Sequence, residues 1–289
     1  MPGMTLASTV LMVRPACFAF SEEAAASNLF QRRLDVPAHR LAALAVEEFD
    51  RMVVQLREEG ITVRVVEDTP DPPKPDAVFP NNWVSWMPDG RAIVYPMAVP
   101  SRRAEKRRDI LPDRVVDWSM LEDRGLFVEG TGSLVFDHEN RLAYACRSPR
   151  TVDMATWIVA TKLGYTSSGF DARLDGAAVY HTNVVLGLGV DWAVWFGDGA
   201  TRGRHAVEGR LQDTGRRLIS LTAAQVRAYC GNVLTLRGAH GPVTVLSRTA
   251  WEAFRPEQRD QLGRVVIVAI PTIETVGGGS ARCMMAEVF

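Results

Sequence analysis

The chain has 289 residues, of which 47% are hydrophobic, 23% charged and 8% aromatic, a composition typical of globular proteins. Its 33 basic and 34 acidic side chains leave a net charge of -1, so nucleic acid and anionic membranes are not expected partners. No apolar run approaches the roughly 18 residues that span a bilayer, and the N-terminus lacks the pattern of a secretory signal. We therefore expect one cytoplasmic domain over residues 1–289.

Short β-branched runs alternate with helical segments along the chain. The predicted strands lie at 9–13, 62–66, 92–95, 133–136, 142–146, 183–186, 193–196, 232–236, 243–246 and 265–269. The predicted helices lie at 38–59, 101–110, 152–163, 222–230 (with a further piece before Gly215) and 249–262. Frequent strand pairs separated by a few turn residues exclude a purely parallel sheet. The count fits a strand–strand–helix–strand unit used about five times, which predicts an α/β fold.

The C-terminal segment has the most informative chemical pattern. Three consecutive glycines, Gly277 to Gly279, precede Cys283 and permit a positive φ or a close backbone approach to a ligand. The neighbouring Arg282 would favour a thiolate. A free cysteine is more often a small buried hydrophobe, and the four cysteines form no Cys-x-x-Cys pair typical of zinc or dithiol sites. Cys283 is therefore either a nucleophile or a structural core residue.

A cysteine nucleophile requires a proton-transfer partner, commonly His, and often a carboxylate that orients it. His181 lies at the predicted start of a strand, two residues before Asn183, and strand periodicity would point both side chains the same way. Glu129 lies where the chain turns through two glycines into another strand, and such acids tend to be paired or shifted in pKa. Local evidence alone favours a structural histidine and an ordinary turn acid.

Taken in order, the patterns Glu-Gly, His-x-Asn and Gly-Gly-x-x-x-Arg-Cys resemble the guanidino-group-modifying superfamily. This superfamily contains arginine deiminases, dimethylarginine dimethylaminohydrolases, amidinotransferases and a citrulline hydrolase branch, and the resemblance extends from Phe79 to Phe289. It implies a five-fold pseudosymmetric α/β propeller of strand–strand–helix–strand modules around a central site. It also implies no metal ion and no organic cofactor, because the electrophile lies in the substrate.

The resemblance assigns catalytic roles to three residues. Cys283 corresponds to the nucleophile that attacks the planar carbon of a guanidinium or ureido group. His181 corresponds to the general acid that protonates the departing amine and then to the base that activates water. Glu129 corresponds to the acid that assists the substrate nitrogens and the protonated histidine.

Two arginines match segments with which the superfamily binds its substrate. Arg102 lies in the Pro-Ser-Arg-Arg segment 100–103, whose first arginine helps to hold the substrate. Arg150 lies in the Ser-x-Arg-Thr segment 148–151, whose arginine grips the substrate α-carboxylate. A bidentate contact between arginine and carboxylate suits an amino-acid substrate. Without the match, Arg102 would be assigned to a solvated helix start.

Two acids that arginine-processing members commonly carry are amides in this chain. The Phe-x-x-Asp segment ends here in Asn81 and Asn82, and the His-x-Asp segment reads His181 to Asn183. The Gly-Gly-Asp that usually follows the position of Glu129 is also missing. An unpaired guanidinium in a closed site costs several kcal/mol. An amide can both donate to and accept from a neutral ureido group, so Asn81, Asn82 and Asn183 are assigned to substrate binding and favour citrulline.

The sequence thus predicts a cysteine-dependent hydrolase that converts citrulline to ornithine, ammonia and CO2 through a covalent Cys283 adduct. The alternatives are a hydrolase of arginine or dimethylarginine and an amidinotransferase, which uses an amine as acceptor instead of water. A noncatalytic propeller that binds a macromolecule is disfavoured, since it has no reason to keep Cys283, His181 and Glu129 together. The expected partner is a small amino acid, and a homo-oligomer is left open.

Overall fold

Five small β-sheets form the framework of the protein in the computed structural model, which describes residues 5–289. The strands in chain order are β1 (Thr9–Arg14), β2 (Thr62–Glu67), β3 (Val84–Trp86), β4 (Ala92–Val94), β5 (Val115–Asp117), β6 (Leu134–Asp137), β7 (Leu142–Cys146), β8 (Thr166–Leu174), β9 (Ala177–Ala178), β10 (Leu186–Leu188), β11 (Trp192–Trp195), β12 (Ala200–Arg202), β13 (Arg217–Ser220), β14 (Leu234–Gly238), β15 (Gly241–Ser247), β16 (Val265–Val268) and β17 (Ala286–Val288). The α-helices are α1 (Glu22–Ala25), α2 (Ala38–Glu58), α3 (Gly130–Ser133), α4 (Asp153–Leu163), α5 (Arg204–Asp213), α6 (Ala223–Arg227), α7 (Arg248–Ala253) and α8 (Pro256–Arg259).

The five sheets share one pairing pattern. In each, a middle strand pairs antiparallel with one neighbour and parallel with the other. The strand orders are β17-β1-β2, β3-β4-β5, β6-β7-β8, β10-β11-β13 and β14-β15-β16, and β9 and β12 pair additionally with β8. The prediction of a mixed α/β fold built from strand pairs and intervening helices is confirmed.

Helices connect the parallel strands in four of the five sheets within the described residues. These connections are α2 between β1 and β2, α4 between β7 and β8, α5 between β11 and β13, and α7 with α8 between β15 and β16. Between β4 and β5 the predicted helix 101–110 is wrong, since the chain forms 3-10 turns at Pro100–Glu105 and Arg108–Ile110. An extended Lys106 separates them, and Arg102 pairs with Glu105 three residues on, the spacing at which side chains eclipse in a 3-10 turn.

The helix that was clearest in the sequence, α2, also anchors the segment that leads to Cys283. Its buried face contains Leu41, Ala45, Phe49, Met52 and Leu56, which recur at helical spacing. Glu48 is buried on the same helix and accepts hydrogen bonds from the backbone N–H groups of Thr272 and Ile273, at 2.9 and 3.0 Å. The burial of α2 thus fixes where the C-terminal glycine segment begins.

Two other predicted helices are shorter than expected. The segment 249–262 divides into α7 and α8 because Pro256 starts a new helix and the two residues before it are extended. The segment 222–230 is helical only in α6, which is capped by Thr222 and Gln225 and followed by Tyr229 at a φ of 62°. The longer helix of that region is α5, which lies before Gly215.

Two strand predictions differ from the structure in ways that affect the site. The longest strand, β8, was missed because its sequence is rich in small and polar residues, although its side chains alternate between buried and more exposed positions. The strand predicted at 183–186 begins only at Leu186, and Thr182–Val184 is a 3-10 turn. His181 therefore precedes a turn, not a strand.

In each sheet, a short turn comes just before the outer strand that pairs antiparallel with the middle strand. These outer strands begin at Val84, Leu134, Leu186, Leu234 and Ala286. The turn before each strand is a four-residue segment that ends two residues before the strand begins, and the five segments are 79–82, 129–132, 181–184, 229–232 and 281–284. We call these five segments the lead-in turns. They contain Asn82, Glu129, His181 and Cys283, so the repeated strand pattern places the predicted site residues at equivalent points of different sheets.

Candidate active site

A small cavity lies where the lead-in turns meet. Its lining includes Cys283, His181, Asn82, Arg102 and Arg150, which are five of the eight site residues predicted from the sequence. Its volume is about 10 Å³, enough for one water molecule. A ligand of amino-acid size can therefore enter only when part of the wall moves.

The segment 24–31 forms one side of the wall, to which it contributes Ala24, Asn28 and Gln31. Asn28 donates a side-chain hydrogen bond to the carbonyl of Gly278 at 3.2 Å, and Gln31 donates one to the carbonyl of Gly277 at 2.9 Å. These few polar contacts join the segment to the glycine loop, so opening the cavity requires breaking them.

Cys283 lies on the 3-10 turn Ala281–Met284 and is 3% exposed. The glycines before it are required by packing, because a Cβ at Gly277 would lie 2.7 Å from the Phe79 ring and one at Gly279 would lie 2.8 Å from it. The segment therefore approaches the first lead-in turn more closely than any other residue type would permit.

Arg282 does not direct its charge at the cysteine. Its guanidinium donates to the carbonyl of Met285 at 2.8 Å and to the carboxylate of Glu287 at 2.7 Å. The thiolate support that the sequence suggested for Arg282 is thus replaced by a local ion pair on the other side of the turn.

Glu129 and His181 form a buried pair. Oε2 of Glu129 lies 2.8 Å from Nε2 of His181 and 3.6 Å from Nη1 of Arg150, and Oε1 accepts from the N–H of Ala98 at 2.9 Å. Burial opposes ionisation of Glu129, but Arg150 and the hydrogen bond from His181 outweigh it and lower the Glu129 pKa to about 2. Burial lowers the pKa of His181 to about 4, although Glu129 opposes this shift.

Both shifts favour an ionised carboxylate beside a neutral imidazole, and the hydrogen bond between the two groups then sets the tautomer of His181. An ionised carboxylate only accepts hydrogen bonds, so Nε2 carries the proton of the neutral ring and Nδ1 keeps its lone pair. Nδ1 lies beside Gly132, where an added Cβ would be 2.8 Å from Nδ1 and 2.6 Å from Nδ2 of Asn82. Nδ1 is therefore the basic atom that can take a proton from a group in the cavity.

Arg102 determines which way the Asn82 amide faces. Its Nη1 donates to Oδ1 of Asn82 at 2.8 Å, while Nε and Nη2 bond the two oxygens of Glu105 at 2.8 and 2.9 Å. Because Oδ1 must face this donor, Nδ2 faces away from it and donates to Oδ1 of Asn81 at 3.0 Å. The second N–H of Asn82 is bonded to no acceptor in residues 5–289.

Arg150 and Asp76 add opposite charges to the same cavity. Arg150 donates to the carbonyl of Ala24 and to the hydroxyl of Ser27, each at 2.7 Å. Oδ2 of Asp76 lies 3.8 Å from Nε of Arg102 and has no hydrogen-bond partner among the described residues. Burial raises the pKa of Asp76, although Arg102 and Arg150 oppose this shift. Two guanidinium groups and one carboxylate complement the two charged ends of an amino acid.

Two amides contact the sulfur of Cys283. Nδ2 of Asn232 lies 3.2 Å and Nδ2 of Asn183 lies 3.5 Å from Sγ. Asn183 lines an adjoining cavity of about 40 Å³, whereas His181 lines the first one. The two side chains thus face different cavities, in contrast to the expectation from strand periodicity, because the residues between them form a 3-10 turn.

Three predicted site residues lie outside the lining of the first cavity. Glu129 lies behind His181, Asn183 reaches Sγ from the adjoining cavity, and Asn81 lies behind Asn82. Nδ2 of Asn81 bonds the hydroxyl of Thr131 at 3.3 Å. Asn81 is thus placed to orient its neighbour and is not among the residues that line the cavity, and its part in substrate binding stays a prediction.

Asp76 and Asn232 were not identified from the sequence. Asp76 follows the proline-rich stretch 69–75, and no local pattern marks it as a site residue. Asn232 was read as the first residue of a strand, although it is the last residue of its lead-in turn, as Asn82 is in its own. A comparison of the five turns with one another is the signal that would have singled it out.

Within residues 5–289, no group of three or more His, Cys, Asp or Glu side chains is arranged to hold a metal ion. In the same part of the chain, no helix combines the length and the apolarity needed to cross a membrane.

Comparison with known proteins places the chain among guanidino-modifying enzymes. A model of the eukaryotic N,N dimethylarginine dimethylhydrolase family matches residues 14–289. No curated protein matches the chain.

Several solved structures share the fold. The apo structure of ArgZ, an arginine dihydrolase from the ornithine-ammonia cycle in cyanobacteria, has a TM-score of 0.75 at 16% identity, over 97% of this chain and 40% of that one. The N-terminal domain of an ArgZ mutant covalently bound to a reaction intermediate has a TM-score of 0.74 at 15% identity, over 97% of both chains. A mutant of DDAH from Pseudomonas aeruginosa complexed with citrulline has a TM-score of 0.65 at 16% identity, and the match covers 98% of this chain and 99% of that chain. The chain thus spans 40% of the ArgZ chain, and these identities establish the fold alone.

Proposed function

The chain belongs to the eukaryotic N,N dimethylarginine dimethylhydrolase family, and we propose that the substrate it hydrolyses is free citrulline, at the ureido group. The family and its neighbours mark it as a hydrolase that acts on amidino-type C–N bonds. The proposal adds the substrate and the roles of the individual residues. It depends on one observation, the orientation of the Asn82 amide.

The proposal places the five sheets around one axis as a five-fold pseudosymmetric propeller, with the site at its centre. The shared pairing pattern of the sheets supports this arrangement. So do the contacts between successive lead-in turns, which are joined by the hydrogen-bonded pairs Asn81–Thr131, Glu129–His181, Asn183–Asn232 and Asn232–Cys283. The fifth turn contacts the first directly, so contacts connect all five turns in sequence.

The charged groups of the cavity bind the amino-acid end of the substrate in this proposal. Arg102 and Arg150 take the α-carboxylate, and the unpartnered oxygen of Asp76 takes the α-ammonium. Arg150 bonds Ala24 and Ser27 of the wall segment in the closed cavity, so substrate binding exchanges these contacts for a carboxylate. Recognition of the substrate is thereby coupled to movement of the wall.

The orientation of Asn82 distinguishes between a ureido group and a guanidinium group at the reacting end of the substrate. Arg102 holds the carbonyl of this amide, so the amide presents an N–H donor to the reacting group. A ureido oxygen accepts such a bond. A guanidinium carries only donors, so its N–H and the N–H of Asn82 would face each other and both stay unpaired. The carboxylate at this end, Glu129, is already bonded to His181 and Ala98. These contacts favour a neutral ureido group over a cation.

The proposed reaction proceeds through a covalent adduct. Sγ of Cys283 attacks the ureido carbon, and the thiol proton passes to Nδ1 of His181. The bond between that carbon and the side-chain nitrogen breaks, and the nitrogen takes the proton from His181 and leaves as the amine of ornithine. Water then attacks the carbamoyl–sulfur adduct, giving a proton back through His181 to sulfur and releasing carbamate, which decomposes to ammonia and CO2. Glu129 keeps the His181 ring in the required tautomer.

Asp76 also supports a second candidate, hydrolysis of arginine. Its buried carboxylate has a free oxygen, and this is the additional acid that a cationic guanidinium requires. The solved neighbours include an arginine dihydrolase. The two candidates differ in whether Asp76 meets the α-ammonium or the guanidinium.

Asn82→Asp is expected to reverse the substrate preference. The carboxylate removes the donor for a ureido oxygen and supplies a counter-charge for a guanidinium, so kcat/KM for citrulline falls at least about tenfold while that for arginine rises. Ornithine formation from citrulline, and ornithine or citrulline formation from arginine, measure this preference. Gln212→Glu makes the same amide-to-acid change at an exposed position and serves as the control. A wild-type enzyme that already prefers arginine contradicts the proposal.

Gly132→Ala is expected to lower kcat by about 10- to 100-fold without unfolding the protein, because the added Cβ displaces His181 and Asn82. Gly209→Ala is the matched control, since no atom lies within 4 Å of its Cβ on helix α5. That change stabilises the helix by up to about 1 kcal/mol. Turnover and thermal unfolding of both variants test this, and wild-type turnover in Gly132→Ala would show that the site tolerates the displacement.

A further inference from the structure

Asn232 contacts the reacting sulfur but has no part in the reaction described above. Its Nδ2 lies 3.2 Å from Sγ of Cys283, and the residue is 1% exposed. An amide NH2 group can donate hydrogen bonds but cannot accept one from a thiol, so the contact is one in which sulfur is the acceptor.

A second hydrogen bond fixes the direction of this donor. Oδ1 of Asn232 accepts from the backbone N–H of Arg282 at 3.0 Å, so Nδ2 has to face Sγ and the carbonyl of Asn183, which is 3.3 Å away. The amide of Asn183 also contacts Sγ, at 3.5 Å, but its Oδ1 has no partner among the described residues. Only the Asn232 donor is therefore oriented by an independent bond within residues 5–289.

The turn that carries Asn232 is held on both sides. A Cβ at Gly231 would lie 2.1 Å from the carbonyl of Val184, so only glycine permits the turn to pack against that residue. Tyr229 adopts a φ of 62°, and its hydroxyl donates to the carbonyl of Glu274 at 2.8 Å. The donor is thus placed before the reaction begins and needs no rearrangement to reach the sulfur.

We propose that Asn232 is a catalytic residue that stabilises the Cys283 thiolate through its Nδ2–H, while its Oδ1 holds the backbone next to the nucleophile. A donor to an ionised sulfur forms a stronger bond than a donor to a neutral thiol, so the contact favours the attacking form of Cys283. The inference rests on the proposed function only in taking Cys283 as the nucleophile, and it is independent of which substrate is attacked.

Other ionisable groups face Cys283 and remain unchanged when Asn232 is altered. Arg102, Arg150, Asp76 and His181 share its cavity. Tyr180 directly precedes the lead-in turn of His181, and Tyr229 begins the turn that carries Asn232. On its own turn, the charge of Arg282 is paired with Glu287. A difference between the wild type and an Asn232 variant therefore reports on the amide donor.

The test is the pH dependence of Cys283 alkylation by iodoacetamide, followed by peptide mass spectrometry so that the other cysteines do not contribute. Asn232→Asp keeps an oxygen for the Arg282 N–H but replaces the donor with an anion, so the midpoint pH of alkylation rises by at least about one unit. Asn232→Ala removes the donor without adding a charge and raises the midpoint by about one unit. Gln212→Glu, on the exposed face of α5, leaves the midpoint unchanged.

A purely structural role gives a different pattern. If Asn232 only held the backbone of Arg282, Asn232→Ala, which adds no charge near Sγ, would keep the wild-type midpoint, and that result overturns the proposal. Should the Ala variant fail to fold, an unchanged midpoint in Asn232→Asp overturns it equally. Alkylation needs no substrate, so a shifted midpoint in a protein that does not release ornithine contradicts the citrulline assignment and leaves the role of Asn232 intact.

Discussion

Cys283→Ala and Cys283→Ser are expected to lower kcat for ornithine release from citrulline by at least about 10⁴-fold, because the covalent route is lost with the sulfur. The folded state should persist, since Cys283 carries a single small side chain at the cavity wall. Steady-state turnover and thermal unfolding of the purified variants measure both quantities.

The control for this prediction is Cys17→Ser. Cys17 is half-buried, its sulfur contacts the carbonyl of Pro70 at 3.5 Å, and it lies outside the lead-in turns. Its turnover should stay within about twofold of the wild type, as for other substitutions away from a functional site. Retained activity in Cys283→Ala would exclude the covalent mechanism.

Glu129→Gln is expected to lower kcat by about 10³- to 10⁴-fold, in line with the loss of a carboxylate that orients a catalytic histidine. The amide can bond either tautomer of His181, so Nδ1 is no longer held as the basic atom. The variant also leaves Arg150 without the carboxylate that lies 3.6 Å away, so the free energy of unfolding falls by about 3 kcal/mol.

Glu252→Gln provides the comparison for Glu129, since Glu252 is exposed on α7 and the same change there removes no buried charge. Chemical denaturation and kcat distinguish the two effects. A Glu129→Gln enzyme with reduced stability but wild-type kcat would assign Glu129 to the fold and exclude it from proton transfer.

The sequence predicted the residues that surround Cys283, because superfamily motifs are local. Cys283, His181 and Glu129 each lie within a short pattern rich in glycine or amides, and the structure places Glu129 and His181 on successive lead-in turns and Cys283 on the fifth. The glycine pattern was also informative, since a Cβ at Gly277 or Gly279 would contact Phe79.

The direction of the side chains could not be predicted in the same way. His181 and Asn183 were expected on one face because a strand was assumed, and the 3-10 turn between them turns Asn183 towards another cavity. Asn81 bonds Thr131 on the second lead-in turn, so its direction also depends on a contact that no local pattern shows. Such turns have no hydrophobic period from which their orientation could be read.

The residues that were missed are those whose role depends on long-range contacts. Asp76 reaches the cavity because Arg102, 26 positions later, packs beside it, and Asn232 reaches Sγ across a separation of 51 residues. Neither residue has a local pattern that differs from a loop or a strand start. Their identification required the positions of the lead-in turns relative to one another.

The most direct test of the account is product analysis with wild-type protein and either citrulline or arginine, stopped rapidly with acid so that the mass of the Cys283 peptide can be measured. The account predicts equal amounts of ornithine and ammonia from citrulline and a carbamoyl adduct on Cys283. Arginine should give little product. Release of citrulline from arginine, with no ornithine and no adduct from citrulline, would contradict the account.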